Sequence, residues 1–270
     1  MQKLLTLIFF LLTIFNCYPQ SKNKGYIALS IGPALPVGNF GSKDLNSNWS
    51  GFANIGEFAN FSFSHLIVKH VGFSVIWHGQ RNPLNTKSLA GEFSKHPIYQ
   101  LQFVASDGTT PPPPSPPSYK YYKNWKFDKG SWLCGSLLIG GYSSFPVKKL
   151  TNLSFISKAL IGVVFAKSPK LNGTSTSDTS SARAEQTSSS GSGFSYLISG
   201  GIKYDLKKIC FLVNLDYLAT NKIRFHDIKS TLTTVEDPNG LPSYQQSSVT
   251  TDGRQNIGTI NLSIGIGLRL

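Results

Sequence analysis

Long apolar runs, acidic residues and cysteines are all scarce in this sequence. No stretch reaches 18 uninterrupted apolar residues, which excludes an ordinary transmembrane helix. The 270 residues include 13 acidic and 26 basic side chains, a formal charge of +13 that favours anionic partners. No close set of His, Cys and carboxylate residues has the spacing of metal ligands, and no phosphate-binding loop occurs. We therefore expect neither a metal nor another cofactor.

The amino terminus has the composition of a secretory signal. Lys3 precedes an apolar core at residues 4–15, which is as long as a signal-peptide core and too short to span a membrane as a helix. We predict a signal peptide at residues 1–20 and an exported chain at residues 21–270. Cys17 raises a lipoprotein alternative, although Asn16 stands where lipidation needs a small residue. For an exported basic chain, the expected anion is the phosphorylated lipid of an outer membrane and not nucleic acid.

The end of the chain alternates without interruption. Over residues 260–270, apolar side chains occupy every second position, while Asn, Ser, Gly and Arg fill the positions between them. This period of two is typical of a β-strand with one apolar and one polar face. A run so regular, and long enough to cross a bilayer, favours the closing strand of a barrel over a strand of a soluble sandwich.

Seven earlier segments have the same character. With the terminal one, the predicted strands cover residues 24–35, 49–66, 71–80, 131–144, 153–166, 194–206, 209–220 and 255–270. Connections after odd-numbered strands are long and those after even-numbered strands are short, as in barrels with long outer loops and short periplasmic turns. We therefore predict an all-β fold, an eight-stranded antiparallel up-and-down transmembrane β-barrel with long extracellular loops, located in the outer membrane.

Three of the connections are unusually long. Residues 81–130 contain two strand-like segments around a polyproline tract, which cannot donate ladder hydrogen bonds, so we predict an extended extracellular hairpin with this tract at its tip. Residues 167–193 and 221–254 are polar, and we expect them to be loops. The first of these, rich in Ser, Thr and Gly, is not expected to be ordered without a partner. The turn between the fourth and fifth strands is predicted at residues 145–152.

Three stretches carry a resemblance to a known family. They are GYIALSIGPALPVGNFG near the start, KHVGFSV after the first short turn, and NLSIGIGLRL at the end. The chain resembles the small outer-membrane β-barrel domain proteins of the Bacteroidetes, which are similar in architecture to the OmpX and OmpA barrels. The resemblance implies an integral barrel that the outer-membrane assembly machinery inserts. One departure is the final Leu270, where such chains often end on an aromatic residue.

Several charged residues fall on the polar faces that should line the barrel interior. They are Lys158, Lys203, Asp205, Asp216 and Arg269. An eight-stranded barrel is just wide enough to be filled by side chains, so we expect these charges to pair and plug the lumen. A proton or ion path is the alternative. Cys134 and Cys210 should lie near opposite ends of their strands, too far apart for a disulfide, and act as small apolar fillers.

One aromatic and cationic segment is the best candidate for recognition. It contains Tyr119, Lys120, Tyr121, Tyr122, Lys123, Trp125 and Lys126. Aromatic faces beside ammonium groups can stack on sugars and neutralise acidic groups, which suggests binding of lipopolysaccharide or another surface partner. The predicted function is therefore a structural or surface-interaction role through cationic aromatic outer loops. The alternative for this segment is the interfacial girdle of aromatic residues that membrane barrels carry.

Two further functions stay open at this point. A membrane-embedded lipid hydrolase or acyltransferase could use His78, near the outer rim of the third strand, or His226 beside Asp227 in the last outer loop. No nucleophile is fixed beside either histidine, and we expect the protein not to be an enzyme. A soluble lipocalin-like carrier would instead place the apolar faces of the strands inside the barrel.

Overall fold

The computed structural model describes residues 25–45, 50–96, 122–148, 150–176, 180–236 and 243–270. The predicted signal peptide and Cys17 lie outside these residues. Eight of the strands form a closed antiparallel barrel. They are β1 Gly25–Pro36, β2 Gly56–Leu66, β3 Val71–Pro83, β5 Ser131–Val147, β6 Leu150–Lys167, β9 Ser190–Leu206, β10 Ile209–Thr220 and β13 Gly258–Arg269. Around the barrel their order is β1-β13-β10-β9-β6-β5-β3-β2.

The barrel is up-and-down, as predicted. Each barrel strand pairs with the barrel strands that precede and follow it in the chain, and the first closes on the last. Tyr26 of β1 is opposite Arg269 of β13, and Ala34 is opposite Asn261 at the other end of the same pair. Closure leaves no unpaired strand edge within the barrel, which is the condition for placing β-structure in lipid.

The side chains that point out of the barrel are mostly apolar, and those that point in are polar or belong to buried apolar clusters. Ile264 is 67% exposed and Phe211 is 44% exposed, whereas Asp216 is 3% exposed. A soluble carrier requires the opposite orientation, so the structure excludes that alternative. The outward apolar side chains form a continuous lipid-facing belt, typified by Leu29, Trp77, Leu137, Ile161, Ile198, Leu215 and Ile264.

Some strand ends differ from the predictions. β2 begins at Gly56 and not at residue 49, and it turns Phe58, Asn60 and Ser62 inward, faces that its sequence left unassigned. β5 and β6 continue to Val147 and from Leu150, so the turn predicted at residues 145–152 is shorter than expected. Backbone pairing extends these two strands because Phe145 still has a partner, Phe155, in the ladder.

A second sheet stands at the end of the barrel that carries the long connections. We call it the outer sheet. Its strands are β4 Lys126–Phe127, β7 Leu171–Thr176, β8 Ser180–Gln186, β11 Ile223–Glu236 and β12 Ser243–Gln255, in the order β12-β11-β8-β7-β4. The predictions of loops at residues 167–193 and 221–254 are therefore wrong for most of both segments. Antiparallel pairing between them, such as Thr231 with Glu185, supplies order that neither segment shows by itself.

One helix packs on the outer sheet. Helix α1, Thr86–Lys95, begins at Asn85, whose side chain accepts a hydrogen bond from the backbone N–H of Ser88. The sequence analysis did not predict this helix. It interrupts the first part of the hairpin expected at residues 81–130, while the polyproline tip lies outside the described residues. Among the described residues, no helix is long and apolar enough to cross a membrane.

Buried side chains fill the interior of the barrel in layers. A cluster at the outer end includes Phe40, Trp132 and Phe225, and the indole N–H of Trp132 donates to the carbonyl of Gly51 at 2.8 Å. A middle cluster consists of Ile76, Leu138, Leu160, Leu197 and Leu218. An inner cluster contains Tyr26, Ala28, Tyr142, Ile156, Cys210 and Leu212. The interior is thus more apolar than the predicted plug of charges.

Candidate functional site

Three of the five predicted interior charges meet at the inner end of the barrel. Lys203 Nζ lies 2.9 Å from Asp205 Oδ2, and Arg269 Nε lies 3.6 Å from Asp205 Oδ1. The side chains of Lys203 and Asp205 are both 13% exposed, so water screens this group only in part. The ammonium of Lys203 also lies 5.8 Å from the ring centre of Tyr26. This group closes the inner end.

The other two charges occupy a separate layer. Lys158 and Asp216 are both register partners of Ser199, which places them on either side of one strand. Both side chains are buried, but their charged atoms do not approach within 4 Å. The ammonium of Lys158 instead lies 5.7 Å from the ring centre of Tyr26. The ring of Tyr26 therefore lies near the ammonium groups of both Lys158 and Lys203, although no ion pair joins Lys158 or Asp216 to the other three charges.

His78 lies inside the barrel and not on its rim. It is fully buried, with Nδ1 2.6 Å from Asn60 Oδ1 and Nε2 3.1 Å from Gln80 Oε1. Gln80 in turn donates to Asn82 and accepts a hydrogen bond from Thr259. These side chains hold the imidazole between amides, and no described hydroxyl contacts it. Sequence reasoning missed the network because the faces of β2, which supplies Asn60, could not be assigned.

His226 has a carboxylate partner, although not the predicted one. Its Nδ1 lies 2.9 Å from Asp252 Oδ2, across the β11–β12 pair. Asp227 has a φ of 56° at the irregularity in β11 between Phe225 and Ile228, and its side chain is not the one that contacts the imidazole. The hydroxyl of Ser189 donates to the backbone carbonyl of His226 at 2.6 Å. In the described part of the chain, no hydroxyl is bonded to the His226 ring itself.

A groove lies on the outside of the barrel below the outer sheet. We call it the outer-rim groove. Its volume is about 980 Å³, and its walls include the apolar side chains of Leu133 and Phe165. Four basic side chains also line it, namely Lys167, Lys222, Arg224 and His226. All four are exposed, and the sequence analysis singled out only His226. The clustering depends on strand β11, which the sequence did not predict.

The aromatic segment takes a different place from the one proposed for it. Tyr122 and Trp125 are buried between α1 and the outer sheet, where the Trp125 ring lies 5.4 Å from that of Phe93. These two rings stabilise the packing of α1 on the outer sheet and cannot stack on a ligand. Lys123 and Lys126 are exposed. Tyr119, Lys120 and Tyr121 lie outside the described residues.

The described residues offer no group of three or more His, Cys, Asp or Glu that could hold a metal ion. Cys134 and Cys210 are both buried and free. Cys134 belongs to the outer cluster and Cys210 to the inner one, as their predicted positions at opposite ends require. Both act as small apolar side chains within the interior packing.

No protein-family model and no curated protein matches the chain. Among solved structures, it is similar to Neisserial surface protein A (NspA), with 10% identity and a TM-score of 0.38 over 93% of this chain and 100% of that one. A major outer membrane protein from Thermus thermophilus is 11% identical, with a TM-score of 0.41 over 91% of this chain and 99% of that one. At such identities and scores, the assignment of the chain as a transmembrane β-barrel rests on its own closed sheet and lipid-facing belt.

Proposed function

We propose that the protein is an integral outer-membrane barrel with a structural or surface-interaction role. It acts through its outer layer, which consists of the outer sheet and α1, and not through its lumen. The observation that carries this proposal is the filled interior. Buried clusters occupy its outer, middle and inner parts, and Lys203, Asp205 and Arg269 close the inner end. An eight-stranded barrel has an interior just wide enough to be filled by side chains, so we expect these clusters to prevent the passage of ions.

The outer layer is built as a small domain with its own core. Leu89 and Phe93 of α1 pack with Ala182, Ala184 and Leu232 of the outer sheet. Ala182 and Ala184 face this core, while Arg183 between them points to solvent. Such a core holds the outward face in one arrangement. This favours binding because less conformational entropy is lost when a partner docks. We also propose that the chain belongs to the small outer-membrane β-barrel domain proteins of the Bacteroidetes, which its sequence resembles.

Three measurements test the proposal together. Full-length protein in detergent should migrate faster on gels before heating than after, as intact membrane barrels do, and reconstituted protein should give no ion conductance in planar bilayers. Protease added to intact cells should cleave the outer layer and leave the barrel strands protected. A water-soluble protein, or a barrel that conducts, would contradict the proposal.

The lipid-modifying enzyme is the second candidate, and one observation favours it. The His226–Asp252 pair has the geometry of a base and its orienting carboxylate, and Ser190 and Ser192 line the same groove. Against it, the ring of His226 has no hydroxyl partner among the described residues. Replacing His226 with Gln and comparing the acyl chains of the membrane lipids decides the matter, since an enzyme would lose its product and a binding protein would leave the lipids unchanged.

A further inference from the structure

The outer-rim groove lies at the upper edge of the lipid-facing belt. Along β6, the outward side chains are Val163, then Phe165, then Lys167, so the first charge follows directly after the last apolar residues. Lys167 pairs with Ser190 of β9 on one side and with Leu133 of β5 on the other. Because the belt marks the hydrocarbon layer, this row of residues stands at the level of the lipid headgroups.

Glycines bring the remaining basic residues to this level. The start of β11 lies so close to β9 that a Cβ at Gly191 would be 2.1 Å from the carbonyl oxygen of Arg224. A Cβ at Gly193 would be 2.5 Å from the side-chain oxygen of Asn221. At residue 191 the near atom belongs to the backbone, so only glycine permits this approach. This close approach places Lys222 and Arg224 beside β9, the strand that pairs with β6, and therefore near Lys167.

The charge of the groove is strongly positive. Neither Lys167 nor Arg224 has an acidic partner among the described residues. The nearby carboxylate of Asp252 is engaged by His226 at 2.9 Å. Phosphate groups are the anions that Arg and Lys bind best, through short charge-assisted hydrogen bonds. The groove therefore favours a ligand that carries phosphate.

The lower part of the groove is suited to an acyl chain. Gly79 of β3 and Gly135 of β5 are register partners, and both line the groove beside Leu133 and Phe165. A Cβ at Gly79 would meet no atom within 4 Å, and one at Gly135 would meet only the carbonyl oxygen of His78 at 4.0 Å. Barrel packing therefore does not require glycine at either position. The missing side chains leave a depression in the lipid-facing surface.

We propose that the outer-rim groove binds a phosphorylated acyl lipid of the outer leaflet. The phosphate contacts Lys167 and Arg224, and one acyl chain lies over Gly79 and Gly135. The site rests on the proposed function in one respect, because the barrel must sit in the membrane at the height of its belt. It would hold the outer layer against the membrane surface and fix its orientation.

The test of the site is how much lipid the purified full-length protein retains in detergent. Native mass spectrometry measures this for lipid A that carries its phosphates and for the same lipid after dephosphorylation. We expect the double variant Lys167→Gln/Arg224→Gln to retain about tenfold less phosphorylated lipid, since it lacks two charge-assisted contacts. The matched control is Lys207→Gln/Lys208→Gln, which removes the same charge from the turn at the inner end and should retain the lipid fully.

Gly135→Leu tests the acyl part separately. It fills the depression without touching the basic residues, and we expect it to lower retention of both lipids. Equal retention of phosphorylated and dephosphorylated lipid by the parent protein, or an equal loss in both double variants, would overturn the proposed site. Heat-modifiable gel mobility is recorded for every variant. If the parent protein lacks it, the membrane barrel itself is refuted, whereas intact mobility with unchanged lipid retention refutes the groove alone.

Discussion

Asn60 Nδ2 lies 3.5 Å from Asp216 Oδ2, although 156 residues separate them in the chain. Asn60 belongs to β2 and Asp216 to β10, strands that are not neighbours in the barrel. The other amide atom of Asn60 contacts His78 at 2.6 Å. A chain of polar contacts thus crosses the interior beside the apolar middle cluster. Strands far apart in the sheet are joined through the lumen as well as around the wall.

The interior charges of Lys158 and Asp216 should depend on each other. Replacing Asp216 alone with Leu leaves buried Lys158 without the opposite charge across Ser199. We expect the barrel to lose about 1–3 kcal/mol, less than for a buried ion pair in contact, because the two charged groups do not form an ion pair. The double variant Lys158→Met/Asp216→Leu removes both charges and should recover most of that loss. The measurement is the temperature at which the folded band disappears from detergent gels. A double variant no more stable than the single one would show that the two charges act independently.

The approach of β11 to β9 should not tolerate a side chain at residue 191. Gly191→Val places a Cβ against the backbone of Arg224, so we expect the outer sheet to separate from the barrel while the barrel itself stays folded. Trypsin should then cleave sooner at Lys222 and Arg224. Gly200→Val is the control, because a Cβ at Gly200 meets no atom within 4 Å. Equal cleavage rates in the two variants would count against this packing.

The barrel strands were predictable because lipid and lumen impose different demands on alternate residues. β10 and β13 show this plainly, with Phe211 and Ile264 outward and Asp216 and Ser263 inward. The bounds predicted for the seventh strand, residues 209–220, agree with β10. This pattern can be recognised in the sequence because the residue type at each position depends on whether that position faces lipid or lumen. It does not depend on which distant residues the side chain contacts.

The outer sheet was not predictable in the same way. Its strands are rich in Ser, Thr and Gln, and the inward face of β8 offers only Ala182 and Ala184 as apolar residues. These two residues are buried in a cluster with Phe93 and Trp125, which come from distant parts of the sequence. The helix did carry a signal, since Asn85 precedes Leu89 and Phe93 at helical spacing. The outer-rim groove needed β11, so its basic residues could not be grouped from sequence.

The core of the outer layer should depend on Phe93. Its ring is 3% exposed and contacts the rings of Trp125 and Phe127 at 5.4 and 4.9 Å. Phe93→Ala should destabilise the layer by about 3–5 kcal/mol, because it removes a buried ring and leaves a cavity. Hydrogen exchange in β7 and β8 of the folded barrel measures this. Lys87→Ala, on the exposed side of the same helix, should leave the exchange rates unchanged. Equal rates in both variants would exclude a helix packed on the sheet.

Opening the outer end alone should not create a pore. Trp132 and Phe225 contact each other at 5.8 Å between ring centres in the outer cluster, and Trp132→Ala/Phe225→Ala would empty much of that cluster. The middle cluster and the inner charges remain below it, so we expect a less stable barrel that still carries no current in planar bilayers. Trp77→Ala, a truncation on the lipid-facing side, should change the stability less because Trp77 is 68% exposed to the surroundings of the barrel. Steady conductance from the double variant would mean that the outer cluster is the only barrier, and it would contradict an interior filled along its length.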